Sequence, residues 1–171
     1  MKVIDDKAQY YISKLQLAPH PEGGYFKEIY RSSEIYEEEY LPERYSGKRN
    51  FATSIYFMLA GNDVSNFHCL KSDEIWHFYD GSSIVIYLLN KMEGLKKITL
   101  GKNLINDEVY QTTIKRGDWF AAELKDKNSF SLIGCTVSPG FDFKDFELAK
   151  RNFLSELFPG YESLIKRFTK E

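Results

Sequence analysis

An all-β sandwich or barrel is the fold class that this sequence predicts, on three observations. Runs rich in β-branched and aromatic residues recur from Tyr25 to Val137. Glycine-, asparagine- and aspartate-bearing turns separate them at intervals of about eight to twelve residues. No helical periodicity intervenes between the runs, so neighbouring strands must pair with one another and not across helices.

Composition narrows the function classes. The 171 residues predict one domain, 1–171, long enough for a substantial core. Aromatic residues reach 16%, with 13 Phe and 12 Tyr, which suits a β-rich interior or a pocket walled by rings. A net charge of −2 gives no basic surface for phosphate, so nucleic acid is not an expected partner. The polar start Met1-Lys2-Val3-Ile4-Asp5-Asp6 does not read as a secretory leader. The longest apolar run, Ile84 to Leu89, is too short for a bilayer, so no membrane is expected. Cys69 and Cys135 show no metal or redox spacing and read as buried free thiols in a reducing, cytoplasmic setting.

Taken in order, Ala8, Tyr11, Ile12 and Leu15 have helical spacing within residues 5–17. Ala18-Pro19-His20-Pro21-Glu22-Gly23-Gly24 breaks that helix. Tyr25 to Arg31 reads as a strand, and 32–50, with Glu37-Glu38-Glu39, as an exposed loop whose acidic run is solvated. Strands follow at 51–59, 66–70, 74–79, 83–90, 95–100, 109–114, 119–124 and 130–137. Ser138-Pro139-Gly140 ends the sheet. Asp145 then caps a helix through Phe146, Ala149, Phe153, Leu154 and Leu157, and a last helical piece carries Leu164, Ile165 and Phe168.

One stretch concentrates the chemistry: His68 to Gly81 holds two of the three histidines, an acidic pair and Trp76. Strand alternation puts Asn66, His68 and Leu70 on one face. It likewise groups Glu74 with Trp76 and Phe78, and turns Ile75, His77 and Tyr79 away. A bulge would bring His77 inward, so His77 stays a candidate wall residue.

The strand order, with glycines at Gly81 and Gly117, resembles the cupin superfamily. Glu74 and Gly81 keep the glutamate-to-glycine spacing of its first motif, and His68 stands where the first histidine belongs. Leu70 fills the place of the second. More closely, the chain resembles the Cupin_5 group. The blocks that carry this are Pro21-Glu22-Gly23-Gly24-Tyr25-Phe26, Thr53-Ser54-Ile55-Tyr56-Phe57, and Ser72-Asp73-Glu74-Ile75-Trp76-His77. Two more are Gly117-Asp118-Trp119-Phe120-Ala121-Ala122 and Gly134-Cys135-Thr136-Val137-Ser138-Pro139-Gly140-Phe141-Asp142-Phe143. The resemblance covers about 18–147 and implies a jelly-roll barrel with helices at both termini, the C-terminal ones within 145–169. It further implies pairing as a homodimer and an inner pocket similar to that of sugar-nucleotide epimerases.

Three readings of the pocket follow. A divalent-metal enzyme, of dioxygenase or hydrolase type, would use His68 and Glu74 as ligands, helped by Gln111 or Glu123. Two of the usual cupin ligands are missing, because Leu70 is not a ligand and no histidine lies between Gly117 and Val137. Metal-free acid–base chemistry, as in an isomerase or epimerase, would use Glu74 beside Trp76 and Phe78 together with His68. The equal alternative is a hydrogen bond by which His68 and Glu74 only satisfy each other. A binding module would offer Tyr56, Trp76, Trp119 and Phe120 as stacking faces for a small, carbohydrate-like ligand. Tyr25, Ser54, His68, Glu74 and Gln111 would then orient it.

Overall fold

Along the strand from Thr53 to Ala60, Thr53, Ile55, Phe57 and Leu59 face a barrel interior, while Tyr56, Met58 and Ala60 pack against an N-terminal helix. This period of two recurs along the other long strands, apart from bulges, as in the strands 64–70 and 73–81. The computed structural model describes residues 6–170; residues 1–5 and the last residue lie outside the described part.

Helix α1 (Asp6–Leu15) leads into β1 (Ala18–Pro19), β2 (Tyr25–Arg31) and a ribbon of β3 (Ile35–Tyr36) with β4 (Arg49–Asn50). The barrel strands are β5 (Thr53–Ala60), β6 (Val64–Leu70), β7 (Asp73–Gly81) and β8 (Ile84–Asn90). They continue with β9 (Gly94–Leu100), β10 (Gln111–Ile114), β11 (Trp119–Leu124) and β12 (Phe130–Ser138). A short β13 (Phe146–Leu148) precedes helices α2 (Arg151–Leu157) and α3 (Glu162–Arg167).

Two antiparallel sheets face each other as a jelly roll, one ordered β1-β2-β5-β12-β7-β10 and the other β13-β6-β11-β8-β9. Between them lie Phe57, Leu59, Trp76, Phe78, Ile84, Ile86, Phe120 and Ile133. Burying a ring or branched side chain of this kind contributes about 1.5–3 kcal/mol. The outer face of the second sheet is covered by α2 and α3 through Leu154, Phe158, Ile165 and Phe168. That cover explains why Ile84 to Leu89 is apolar at nearly every position: Ile84, Ile86 and Leu88 face the barrel, and Leu89 faces the helices.

Two expectations are corrected. Asp145 does not cap a helix. It closes a single 3-10 turn (Phe143–Asp145), and the next residues form β13, pairing Phe146 with Leu70 and Leu148 with His68. Its carboxylate is taken by Arg49, with Nε–Oδ2 2.6 Å and Nη2–Oδ1 2.7 Å, so it has no oxygen to offer a helix. Helix α2 therefore starts only at Arg151. Segment 32–50 is largely exposed, Glu37 to Glu39 included, but it is not simply a loop, since Tyr45 and Arg49 are buried.

Candidate functional site

The turn before β2 decides the site. Gly23 and Gly24 hold φ of +119° and +67°, and a Cβ on Gly23 would collide with the Val64 carbonyl oxygen. Only glycine lets the chain lie this close to β6. The Glu22 carbonyl then accepts from Asn66 twice, from the backbone N–H (2.9 Å) and from Nδ2 (2.6 Å). Latched in this way, the Glu22 side chain enters the barrel.

There Glu22 Oε1 accepts from the Ser65 hydroxyl (2.9 Å), and Oε2 lies 3.1 Å from His68 Nε2 and 3.5 Å from His20 Nδ1. Ser65 and His68 reach the same carboxyl despite their odd spacing because β6 bulges between them against β11. The other His68 nitrogen, Nδ1, is 2.8 Å from the Asn66 carbonyl. A carbonyl only accepts, so Nδ1 carries the hydrogen and Nε2 presents a lone pair to Glu22 unless His68 is charged.

Burial makes it uncharged. Loss of water is the main cause that drives His68 down to about 3 and His20 down to about 4. The same loss of water, followed by the negative charge of Glu74, raises the Glu22 carboxyl well above the usual range. Both directions favour the neutral pair, in which the Glu22 carboxyl donates its O–H to His68 Nε2.

Glu74 lies on the opposite sheet, on β7, where Trp76 follows it on the same face. Desolvation pushes its carboxyl up to about 7, opposed by the nearby Trp76 indole and Cys135 thiol. Neither contact has full hydrogen-bond geometry, and Glu74 Oε2 and Trp76 Nε1 are both buried without a partner. These groups line a cavity of about 320 Å³ at the barrel end where β5 and β7 begin and β12 finishes. Phe26, Phe57, Phe141, Phe143 and Phe146 supply most of the remaining wall.

The predicted residues divide accordingly. His68, Glu74 and Trp76 line the cavity. His68 is not bonded to Glu74, however; its partner is Glu22. Tyr25 and Tyr56 pack outside the barrel against the α1 cluster, and Ser54 lies 3.3 Å from Thr136 across the same outer face. His77 is also on that side, in register with Gln111 on β10, and neither lines the cavity. β7 keeps its alternation there, since its bulge against β12 comes only after Phe78. Trp119 faces out under α2 with Ala149 and Leu154. Phe120 points inward yet lies against the His68 ring at 3.9 Å between centroids, packing against it without lining the cavity.

His20 and Glu22 are cavity-lining residues that strand reasoning misses, because they sit in a turn. The Pro21-Glu22-Gly23-Gly24 block carried the available signal: paired glycines mark a close backbone approach. Cys135, read as a buried thiol, is buried and lines the cavity, its thiol pushed well above its ordinary value by desolvation.

A divalent metal does not fit this donor set. Both His68 nitrogens are committed, Leu70 lines the wall where a second imidazole would be needed, and among the described residues no three His, Cys, Asp or Glu side chains group to hold an ion.

A jelly roll of two facing sheets with one acid-lined cavity at its end defines a cupin. The chain belongs to the Cupin_5 family, described as Cupin superfamily (DUF985), which matches residues 9–149. It is 32% identical over 154 residues to the uncharacterised Saccharomyces cerevisiae protein YML079W, covering 83% of this chain and 75% of that one. It is similar to protein SO0799 of Shewanella oneidensis, with TM-score 0.84, 34% identity and coverage of 95% and 97% of the two chains. A hypothetical protein from Leishmania major gives TM-score 0.85, 32% identity and coverage of 96% and 99%. Oxalate decarboxylase from Bacillus subtilis shares the fold alone, at TM-score 0.54 and 13% identity over 90% of this chain and 37% of that one. Among the described residues no helix is long and apolar enough to cross a membrane.

Proposed function

We propose that the chain binds a small polar organic molecule in the barrel cavity and catalyses metal-independent proton transfer on it, as an isomerase or epimerase does. One observation carries this: two acid–base groups line the same cavity, Glu74 on β7 of one sheet and Glu22 on the β1–β2 turn, whose backbone is latched to β6 of the other. A group that takes a proton from one face of a ligand and another that returns one to the other face is what inversion at a carbon requires.

Glu74 is the base, since a carboxyl with an affinity near neutrality exists in both forms at working pH. Glu22 is the acid, with its proton held toward His68 Nε2. The aromatic wall excludes water and orients the ligand.

The test is a thermal-shift screen of sugars, nucleotide sugars and nucleobases on wild type and on Val137→Phe, which fills the cavity. Compounds that stabilise only the wild type are then incubated in D₂O and followed by NMR. The expected result is deuterium entering one C–H of the ligand, at a rate reduced about 10²-fold or more in Glu74→Gln. Ligand binding with no exchange would leave a binding module and remove the enzyme.

A further inference from the structure

We propose that this cavity receives a small organic cation, an amine or ammonium group on an apolar body, and turns anions away. The inference rests on the cavity being the ligand site and specifies which ligands it admits.

Charge balance is the first observation. Four carboxyl groups line the cavity, but Glu22 is held neutral and Glu28 is paired with Arg31, the one permanent cation among the described lining residues, so the uncompensated acids are Glu74 and Asp142. Four of the five N–H groups of the Arg31 guanidinium are already used. Its Nε and Nη2 donate to the two oxygens of Glu28 at 2.9 and 2.7 Å, Nη1 donates to Asn50 Oδ1 at 2.8 Å, and Nη2 also reaches the Phe141 carbonyl at 3.2 Å. The fork that would receive a carboxylate or phosphate is therefore closed. Both His68 nitrogens are committed, and His20 Nδ1 accepts from the Glu22 backbone N–H at 3.3 Å. An anion would enter without a counter-charge and beside carboxyl groups, a position that burial penalises strongly.

The second observation is Glu74, a buried carboxyl whose Oε2 has no partner. An ammonium donating to that oxygen would satisfy it by a charge-assisted bond. The third is the wall: Phe26, Phe57, Trp76, Phe141, Phe143 and Phe146 surround the same space, and ring faces attract cations. A volume of about 320 Å³ holds roughly one ring with a short side chain.

The experiment is calorimetric titration of the full chain with three probes on one body: benzylammonium, benzyl alcohol and benzoate. Benzylammonium is expected to bind at least about tenfold tighter than the alcohol, with benzoate the weakest. Glu74→Gln should weaken the amine about tenfold and leave the alcohol unchanged. Asp142→Asn at the cavity mouth, whose side-chain oxygen can still cap the Lys144 N–H, should weaken the amine about two- to threefold in low salt. It tests the proposal even if Glu74→Gln folds poorly. Benzoate or alcohol binding as tightly as the amine, and abolished by Val137→Phe, would overturn the cation class while leaving the cavity as the ligand site. No binding by any probe would overturn both.

Discussion

Glu22 Oε2 and His68 Nε2 lie 3.1 Å apart and both are buried, so loss of water favours a neutral pair with the proton on the carboxyl. The Asn66 carbonyl fixes the hydrogen of His68 on Nδ1, which leaves Nε2 as an acceptor. Long-range ¹H–¹⁵N NMR of the imidazoles should show a neutral, Nδ1-protonated His68 from pH 8 down to pH 5. A His68 that titrates near its ordinary value would overturn this assignment.

Glu74 sets a pH dependence of stability. Its folded-state affinity, about 7, lies above the ordinary carboxylate value, so its contribution to stability is complete below about 4.5 and is lost as pH rises through 7. The difference is on the order of 3 kcal/mol. Glu74→Gln removes the ionising group, so its melting temperature should exceed that of wild type by several degrees at pH 8 and not at pH 5. Thermal unfolding at the two pH values decides it; an equal shift at both would reject the assignment.

The histidines act in the opposite sense. His68 and His20 are both held below their ordinary value, to about 3 and about 4. They must charge on unfolding in acid, so their share of stability is present above about 6.5 and is lost as pH falls below it. His20→Phe, which keeps an aromatic ring among Phe26, Phe57 and Phe143, should flatten the acid limb of the stability curve. An unchanged acid limb would show that His20 is not the titrating group.

Arg49 and Asp145 form a buried bidentate pair that ties β4 to the turn carrying Phe143 and Phe146 into the cavity wall. Arg49→Ala leaves the buried Asp145 carboxylate with only the distant Lys71 Nζ, 3.9 Å away, and should cost about 3 kcal/mol in chemical denaturation. The double change Arg49→Met with Asp145→Leu should cost less than Arg49→Ala. Additive losses would mean that the two side chains do not act as a pair.

The donor set also predicts indifference to chelation. Dialysis against EDTA should leave the melting temperature within about 1 °C of its starting value and ligand affinity unchanged, since among the described residues no three ligands converge. A drop of several degrees, reversed by Zn²⁺, Mn²⁺ or Fe²⁺, would reinstate a metal site.

Most strands were legible because their periodicity is local. Thr53 to Ala60 alternates along its own chain, and no distant contact is needed to see it. The same alternation correctly separates Glu74, Trp76 and Phe78 from Ile75 and Tyr79. It stops at the strand itself. Tyr56 and Trp119 are large aromatic side chains on barrel strands, and nothing in their own strands says that α1 and α2 wait on the outer faces. Asp145 misled for a related reason: a capping residue is recognised by its neighbours in sequence, whereas its real partner, Arg49, comes from a distant strand.

By itself the sequence determined a β-rich sandwich or barrel and an inward His68, Glu74 and Trp76, since these follow from residue identity and a period of two; the jelly-roll form rested on the resemblance to cupins. Only the tertiary structure decided that Glu22 is the partner of His68 and that Glu74 stands opposite, unpaired. The physical reason is that both facts depend on a glycine turn closing against β6 and on a bulge within it, and neither the closing distance nor the extra residue leaves a mark on strand periodicity.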